Sequence, residues 1–206
     1  MGSFTEQEAF WAGEFGDAYV DRNQGARLAA TNLAFWGVVL ARTQGLGSVL
    51  ELGSNIGLNL VAIRHLLPDA RLSAVEINEK AASLLSVNVP GVDLHRESIL
   101  DFAPRAEWDL VFTRGVLIHI APDRLPSVYE LMHRSSSRYL LVSEYYNPAP
   151  VEIPYRGHSD KLFKRDFAGE MLDAFPDLAL VDYGFGYHRD PSFPQDDATW
   201  FLMEKR

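Results

Sequence analysis

The chain has 206 residues, 47% of them hydrophobic and 23% charged, the balance of one folded domain that can bury a full core without disulfides or a structural metal. It has no cysteine, which excludes disulfide frameworks, thiol nucleophiles and thiolate metal sites. A net charge of −9 opposes tight binding to a large polyanion, so DNA is not an expected partner, although charge alone leaves tRNA open.

The N-terminal MGSFTEQEAF has no basic segment followed by an apolar core, and Glu6 breaks the myristoylation pattern that Gly2 would begin. No apolar run approaches the roughly 18 residues of a membrane helix, so a cytoplasmic location with no membrane partner is the expectation. Residues 5–23 read as one or two short helices, and 27–43 as a more apolar helix stopped near Gly45 and Gly47. In the first of these, Phe10, Trp11, Phe15 and Tyr19 recur at helical spacing, as core or as a lid over a ligand, with Arg22 and Asn23 behind them. Tyr19 and Arg22 are the candidate ligand contacts of this segment.

From residue 48 the pattern changes. Short apolar runs at 48–52, 71–77, 92–97, 109–115 and 138–145 alternate with helical segments at 58–67, from Asn78 (a cap) to about 87, and at 124–134. This alternation signals βαβ units and a parallel sheet. A Pro-rich stretch at 147–154 leads to an expected helix at 160–174, and the last strands, 178–188 and 199–205, are joined by the turn-rich HRDPSFPQDD. The expected fold is an α/β, Rossmann-like, seven-stranded and mostly parallel sheet with helices on both faces and a C-terminal antiparallel hairpin. It is read as a single domain: an N-terminal helical lid at 1–45, a cofactor-binding core at 46–146, and an acceptor-side insert with the final hairpin at 147–206.

The sharpest motif is Glu51-Leu-Gly53-Ser-Asn55-Ile-Gly57-Leu-Asn59, between a predicted strand and a predicted helix, where backbone contacts to a cofactor belong. Gly53 permits a tight turn and Gly57 a close helix start. Glu76, followed by Ile77, ends the next strand nineteen residues after Gly57, and an acid there can accept hydrogen bonds from both ribose hydroxyls of an adenosine. A dinucleotide site wants Gly-x-Gly-x-x-Gly, because a pyrophosphate must touch bare backbone. Here Asn55 and Leu58 stand at the second and third glycine positions, a spacing that favours a sulfonium cofactor over NAD. Ser98 and Ile99 follow the third strand as one polar and one apolar flank for an adenine, and Asp101 is either a further contact or a turn cap. Thr113, Arg114 and Gly115 end the fourth strand, with backbone placed to lie under a methionine moiety.

ELGSNIGLN, VEIN and DLVFTRGVLIHI resemble, in order and spacing, the class I S-adenosylmethionine-dependent methyltransferases. FWAGEFGDAYVDRN at 10–23, EYYNP at 144–148, VEIPYRGHSDKLFKRDFAGE at 151–170 and DYGFGYHRDPSFPQDD at 182–197 are similar to the pseudaminic acid biosynthesis-associated methylases, over nearly the whole chain. The resemblance implies S-adenosyl-L-methionine as cofactor, with Gly53, Asn55, Gly57, Glu76, Ser98, Ile99 and Thr113 as its contacts. Asn55 departs from the commoner glycine of the wider class, but asparagine tolerates the left-handed conformation.

Methyl transfer needs alignment, exclusion of water and, for hydroxyls more than for amines, a base. His119 is a candidate base or a histidine that packs or caps at a helix start; Glu144 is a candidate base or anchor for a cationic acceptor, or one half of a strand-end salt bridge. Tyr145, Tyr146, Tyr155, Arg156 and His158 are candidate substrate contacts, and Lys161, Lys164 and Arg165 complete a basic insert suited to a carboxylate or phosphate, or to a solvated helix face. His188, Arg189, Asp190, Asp196 and Asp197 read as turn residues rather than metal ligands, and no metal is expected. The expected activity is methyl transfer to an N or O atom of a small polar metabolite such as a sugar acid or amino-acid derivative. The alternatives are a regulatory protein that binds cofactor without turnover and, disfavoured by Asn55 and Leu58, an NAD-dependent oxidoreductase.

Overall fold

The computed structural model describes residues 4–22 and 26–206, with the side chains of Ala26 and Arg27 left aside. Asn23 lies outside the described residues. The chain forms two compact units, Met1–Ala103 and Pro104–Arg206.

The first unit opens with three helices, α1 (Glu6–Ala12), α2 (Glu14–Arg22) and α3 (Ala26–Leu40). Thr5 and Glu8 start α1 with a reciprocal capping box, satisfying two otherwise orphaned amides. Strands β1 (Ser48–Leu52), β2 (Arg71–Val75) and β3 (Asp93–His95) then alternate with α4 (Leu58–Leu66) and α5 (Glu79–Asn88). Their order is β3-β2-β1, all parallel, with Leu52 opposite Val75 and Val75 opposite His95. Val49, Leu50, Leu52, Leu72, Ala74 and Val75 are fully buried, as strands covered on both faces must be.

The second unit runs β4 (Trp108–Arg114), a short 3-10 turn (Leu117–His119), α6 (Leu125–Ser135), β5 (Ser136–Glu144), β6 (Val151–Glu152), β7 (Phe163–Lys164), α7 (Phe167–Ala174), β8 (Leu178–Phe185) and β9 (Thr199–Lys205). β4 and β5 are parallel, while β9 pairs antiparallel with both β5 and β8. Leu110, Phe112, Leu140, Leu141, Met132 and Leu202 fill its core. The full strand order is β3-β2-β1-β4-β5-β9-β8, which is the expected class of sheet with its terminal hairpin.

Two local expectations need correction. The helix expected at 160–174 begins only at Phe167, because Asp166 caps it through the Gly169 amide at 2.8 Å; residues before it return as β7 of a hairpin. His119 does not start a helix: it ends the 3-10 turn, and α6 begins at Leu125. Pro122 disfavours helical geometry at Ala121 and so separates the two. Among the described residues no helix is long and apolar enough to cross a membrane.

Candidate functional site

In the first unit the turn after β1 is left-handed at three positions, with φ of 77° at Gly53, 48° at Asn55 and 80° at Gly57. The amides of Gly53 and Ser54 both donate to the Val75 carbonyl, at 2.9 and 3.2 Å, which folds the turn across the end of β2. A Cβ on Gly57 would meet Leu85 Cγ and Val89 Cγ2 at 3.0 Å, so glycine is required there by φ and by space. α4 begins at the next residue with no side-chain cap.

Glu76 faces this turn. Its Oε2 accepts the Asn55 amide at 2.6 Å and its Oε1 accepts the Asn78 amide at 2.8 Å. Burial pushes its carboxyl above the usual range, opposed by the amides of Asn78, Asn55 and Ile77. Asn55 Oδ1 is buried with no hydrogen-bond partner among the described residues. Glu51 is buried in β1, and its Oε1 accepts from Asn59 Nδ2 at 2.7 Å, while Asn59 Oδ1 accepts from Trp36 Nε1 at 3.1 Å. Glu51 is thus held by a relay from α3 through α4.

The N-terminal helices are fastened to the same region. Asn78 caps α5 through the Ala81 amide at 2.8 Å and donates to the Trp11 carbonyl at 3.2 Å and to Asp17 Oδ1 at 2.9 Å. Val20 packs with Ile56 of the turn and Ala81 of α5. The Ser98 hydroxyl, expected at an adenine, donates to Glu8 of α1 and accepts from the Leu100 amide at 3.0 Å. Ile99 is half-buried beside it; Asp101 is exposed, its amide donating to the Ser98 carbonyl at 3.1 Å. Tyr19 meets Trp11 edge-on at 5.3 Å, and the exposed Arg22 lies 5.9 Å over the Tyr19 ring. Sequence reasoning missed Glu8, Asp17 and Gly16. The Thr5-x-x-Glu8 capping box was a visible signal for the first. Gly16 is the only side chain small enough for its place, since a Cβ there would sit 1.9 Å from the Trp11 carbonyl oxygen.

In the second unit Thr113 is buried at the end of β4, and Gly115 turns the chain at φ 67°, its amide donating to the Ser143 carbonyl at 2.9 Å. Glu144 is buried beneath the following turn. Its oxygens accept the amides of Val116 (3.1 and 3.0 Å), Leu117 (3.2 Å) and Ile118 (3.4 Å). Burial lifts its carboxyl to about 7 despite these amides. His119 is buried as well, with Nδ1 2.5 Å from the Lys161 carbonyl oxygen, and burial lowers it to about 4. Nδ1 therefore donates, and the neutral ring keeps its lone pair on Nε2.

The basic insert is a β-hairpin, not a helix face. Tyr155 and His158 exchange backbone hydrogen bonds of 2.8 and 2.9 Å around Arg156 (φ 49°) and Gly157 (φ 87°), a two-residue turn with both φ positive. Arg156 and His158 are exposed at this tip, whereas the Tyr155 ring lies 5.1 Å from His119. Tyr145 and Tyr146 diverge after β5: Lys164 Nζ sits 5.2 Å over the Tyr145 ring, and Tyr146 stands 6.0 Å from Phe201. Arg165 pairs with Glu170 at 2.6 Å, and the Tyr129 hydroxyl donates to the same carboxylate at 2.7 Å. In the last loop Asp190 caps the amides of Ser192 and Phe193, and Asp197 pairs with His188 at 2.8 Å; Arg189 and Asp196 are exposed.

No family model and no curated protein sequence matches the chain. Solved structures do. The magnesium protoporphyrin IX methyltransferase ChlM from Synechocystis PCC 6803 with bound SAM matches over 100% of both chains, at 13% identity and a TM-score of 0.70. The sugar N-methyltransferase KedS8 from Streptoalloteichus sp ATCC 53650 covers 100% of this chain and 98% of its own, at 16% identity and a TM-score of 0.68. The plantazolicin methyltransferase BpumL in complex with a pentazolic desmethylPZN analog and SAH covers 97% of this chain and 94% of its own, at 11% identity and a TM-score of 0.68. The likeness is one of fold.

Proposed function

We propose that the chain is an S-adenosyl-L-methionine-dependent methyltransferase acting on a small polar metabolite. The observation that carries the reading is the left-handed turn at Gly53, Asn55 and Gly57 closed onto Glu76 by the 2.6 Å Asn55 amide contact. Its fold is shared with proteins solved with SAM or SAH. A pyrophosphate needs bare, electropositive amides, but here the Asn55 amide already serves a carboxylate whose charge repels a phosphate. An adenosine ribose offers hydroxyl donors to that carboxylate instead, and the buried Asn55 Oδ1 offers a further acceptor.

In this reading Glu76 takes the ribose hydroxyls, and Gly53 and Gly57 keep the turn's backbone open. Glu51 holds the turn's entry, and Ile77 and Ile99 give apolar contact to the base. Ser98 acts through Glu8, fastening the N-terminal helices; Tyr19 and Arg22 belong to the lid these helices make. When bound, the cofactor supplies an electrophilic methyl carbon on a sulfonium. Thr113 and Gly115 remain cofactor candidates of the second unit, and Tyr145, Tyr146, Tyr155, Arg156 and His158 its acceptor candidates.

Neither expected base is set up to take a proton. Glu144 spends both oxygens on backbone amides, and His119 is a weak base fixed through Nδ1. We read both as positioning residues, Glu144 for the 116–118 turn and His119 for the hairpin. An amine acceptor, which needs little base help, fits this better than a hydroxyl. Mass spectrometry of metabolite pools incubated with protein and isotopically labelled methyl donor tests the reading. A labelled product with the label on nitrogen is expected, and no labelled product in any pool rejects it.

A further inference from the structure

The terminal hairpin of the second unit has two unlike faces. On one, Trp200 is buried across from Gly184, where a Cβ would meet the indole nitrogen at 2.7 Å. On the other, Tyr183 lies opposite Phe201 and Phe185 opposite Thr199. Partners across a ladder point to the same face, and residues two apart along a strand share it. The Gly186 amide donates to the Ala198 carbonyl at 2.8 Å, and the Tyr187 ring follows that of Phe185 at 6.2 Å. Phe201 stacks with Tyr183 at 6.1 Å and reaches Tyr146 at 6.0 Å. The result is a continuous aromatic stripe, with Tyr146, Tyr183, Phe185 and Tyr187 42% to 64% exposed.

Apolar side chains exposed singly need no explanation, but a contiguous stripe does. At roughly 200 Å² for each aromatic side chain, these four leave roughly 400 Å² uncovered. An interface of standard size takes about 800 Å² from each partner, a little over half of it apolar. The stripe therefore supplies the apolar core of one such interface. β8 is also the edge of the sheet, but that edge is blunted against a further strand. The Tyr183 amide donates to the Asp182 carboxylate at 2.9 Å, and a register shift between Leu180 and Asp182 breaks the ladder. The face, not the edge, is what a partner can use.

The stripe has no charged side chain, and the chain carries a net charge of −9, which repels nucleic acids and anionic headgroups. Ring-bearing sheet faces do pack on one another, about 10 Å apart, and a two-fold axis sets this stripe ring on ring against its own copy. We propose that the stripe is an isologous dimer interface, covered by a second copy of this chain, with Tyr183 and Phe185 at its centre. Tyr146 stands at its rim, so the contact borders the acceptor candidates of the second unit. The inference does not rest on the methyltransferase reading, and each can fail alone.

Sedimentation equilibrium of the 206-residue chain tests it, with a monomer–dimer dissociation constant at or below about 10 μM expected. Truncating a central aromatic costs about thirtyfold per contact, and the two-fold axis counts each substitution twice. Tyr183→Ser and Phe185→Ser should therefore each raise the dissociation constant about a thousandfold, with far-ultraviolet circular dichroism unchanged. Val87→Ser, at a 74% exposed position of α5, should leave it within about twofold. The absence of cysteine allows a second measurement that does not depend on weakening the dimer. Phe185→Cys should be joined into a covalent dimer by a bismaleimide spanning about 10 Å, the separation of packed sheets, and Val87→Cys should not. A wild type that stays monomeric at about 100 μM overturns the inference. So does a dimer that both serine variants keep, an assembly that grows beyond two, or equal cross-linking at the two cysteine positions.

Discussion

His119 offers a prediction whose size follows from its surroundings. The ring is buried and falls from 6.5 to about 4 in the folded chain, burial outweighing the contact to the Lys161 carbonyl. A base depressed in the folded state contributes stability that is present above 6.5 and lost as pH falls through about 4. The unfolded chain takes up the proton first. The gap between the two values corresponds to about 3 kcal/mol at the acid end. His119→Asn removes the titration while placing an amide N–H where Nδ1 meets the Lys161 carbonyl. Urea unfolding followed by far-ultraviolet circular dichroism, at about pH 7.5 and about pH 4, gives the stability of both proteins at each pH. All other titrating groups are shared and cancel in the difference. The wild type should lose about 3 kcal/mol more than the variant between the two conditions. Parallel losses would mean that His119 is solvated or already charged, and its role as a neutral latch on the hairpin would be refuted.

Three further outcomes follow from the packing. Gly57→Ala forces a side chain into φ 80° and against Leu85 and Val89, so it should cost about 2–4 kcal/mol in thermal unfolding and lower cofactor affinity as well. Gly16→Ala puts a Cβ on the Trp11 carbonyl; it should release the N-terminal helices, seen as faster limited proteolysis near residues 5–22, with a loss of about 1–3 kcal/mol. Glu144→Gln turns an amide NH2 toward the amides of Val116, Leu117 and Ile118 and should destabilise by about 2–3 kcal/mol near pH 5. Its folded value of about 7 is raised, so the wild-type contribution is full below 4.5 and lost as pH rises through about 7. The deficit of the variant should therefore shrink by about 3 kcal/mol toward pH 8, as chemical denaturation across that range would show.

Much of the first unit was legible in the sequence, because local chemistry and global fold agree there. An apolar run closed by Gly53 became β1 and its turn, and Asn78 was recognisable as a cap and caps α5. The nineteen-residue step to Glu76 led to the carboxylate that the turn now holds. Residues 147–166 were not legible. Their hairpin turns on Arg156-Gly157, and a left-handed arginine carries none of the signal of an Asn-Gly pair. Asp166-x-x-Gly169 was the available marker of the true helix start. The partners of Ser98 and Glu144 lay beyond local pattern altogether. Ser98 meets Glu8 from ninety residues away, and the Glu144 carboxylate is claimed by three amides that no side-chain motif announces.

The most direct measurement is a calorimetric titration of wild type and Glu76→Ala with S-adenosylmethionine, its demethylated product and NAD. We expect micromolar affinity of the wild type for the first two and none for NAD. The variant should bind them about ten- to a thousandfold more weakly, the worth of one or two charge-assisted hydrogen bonds. Equal affinity in wild type and variant, or binding of NAD in place of the sulfonium compound, would contradict the account.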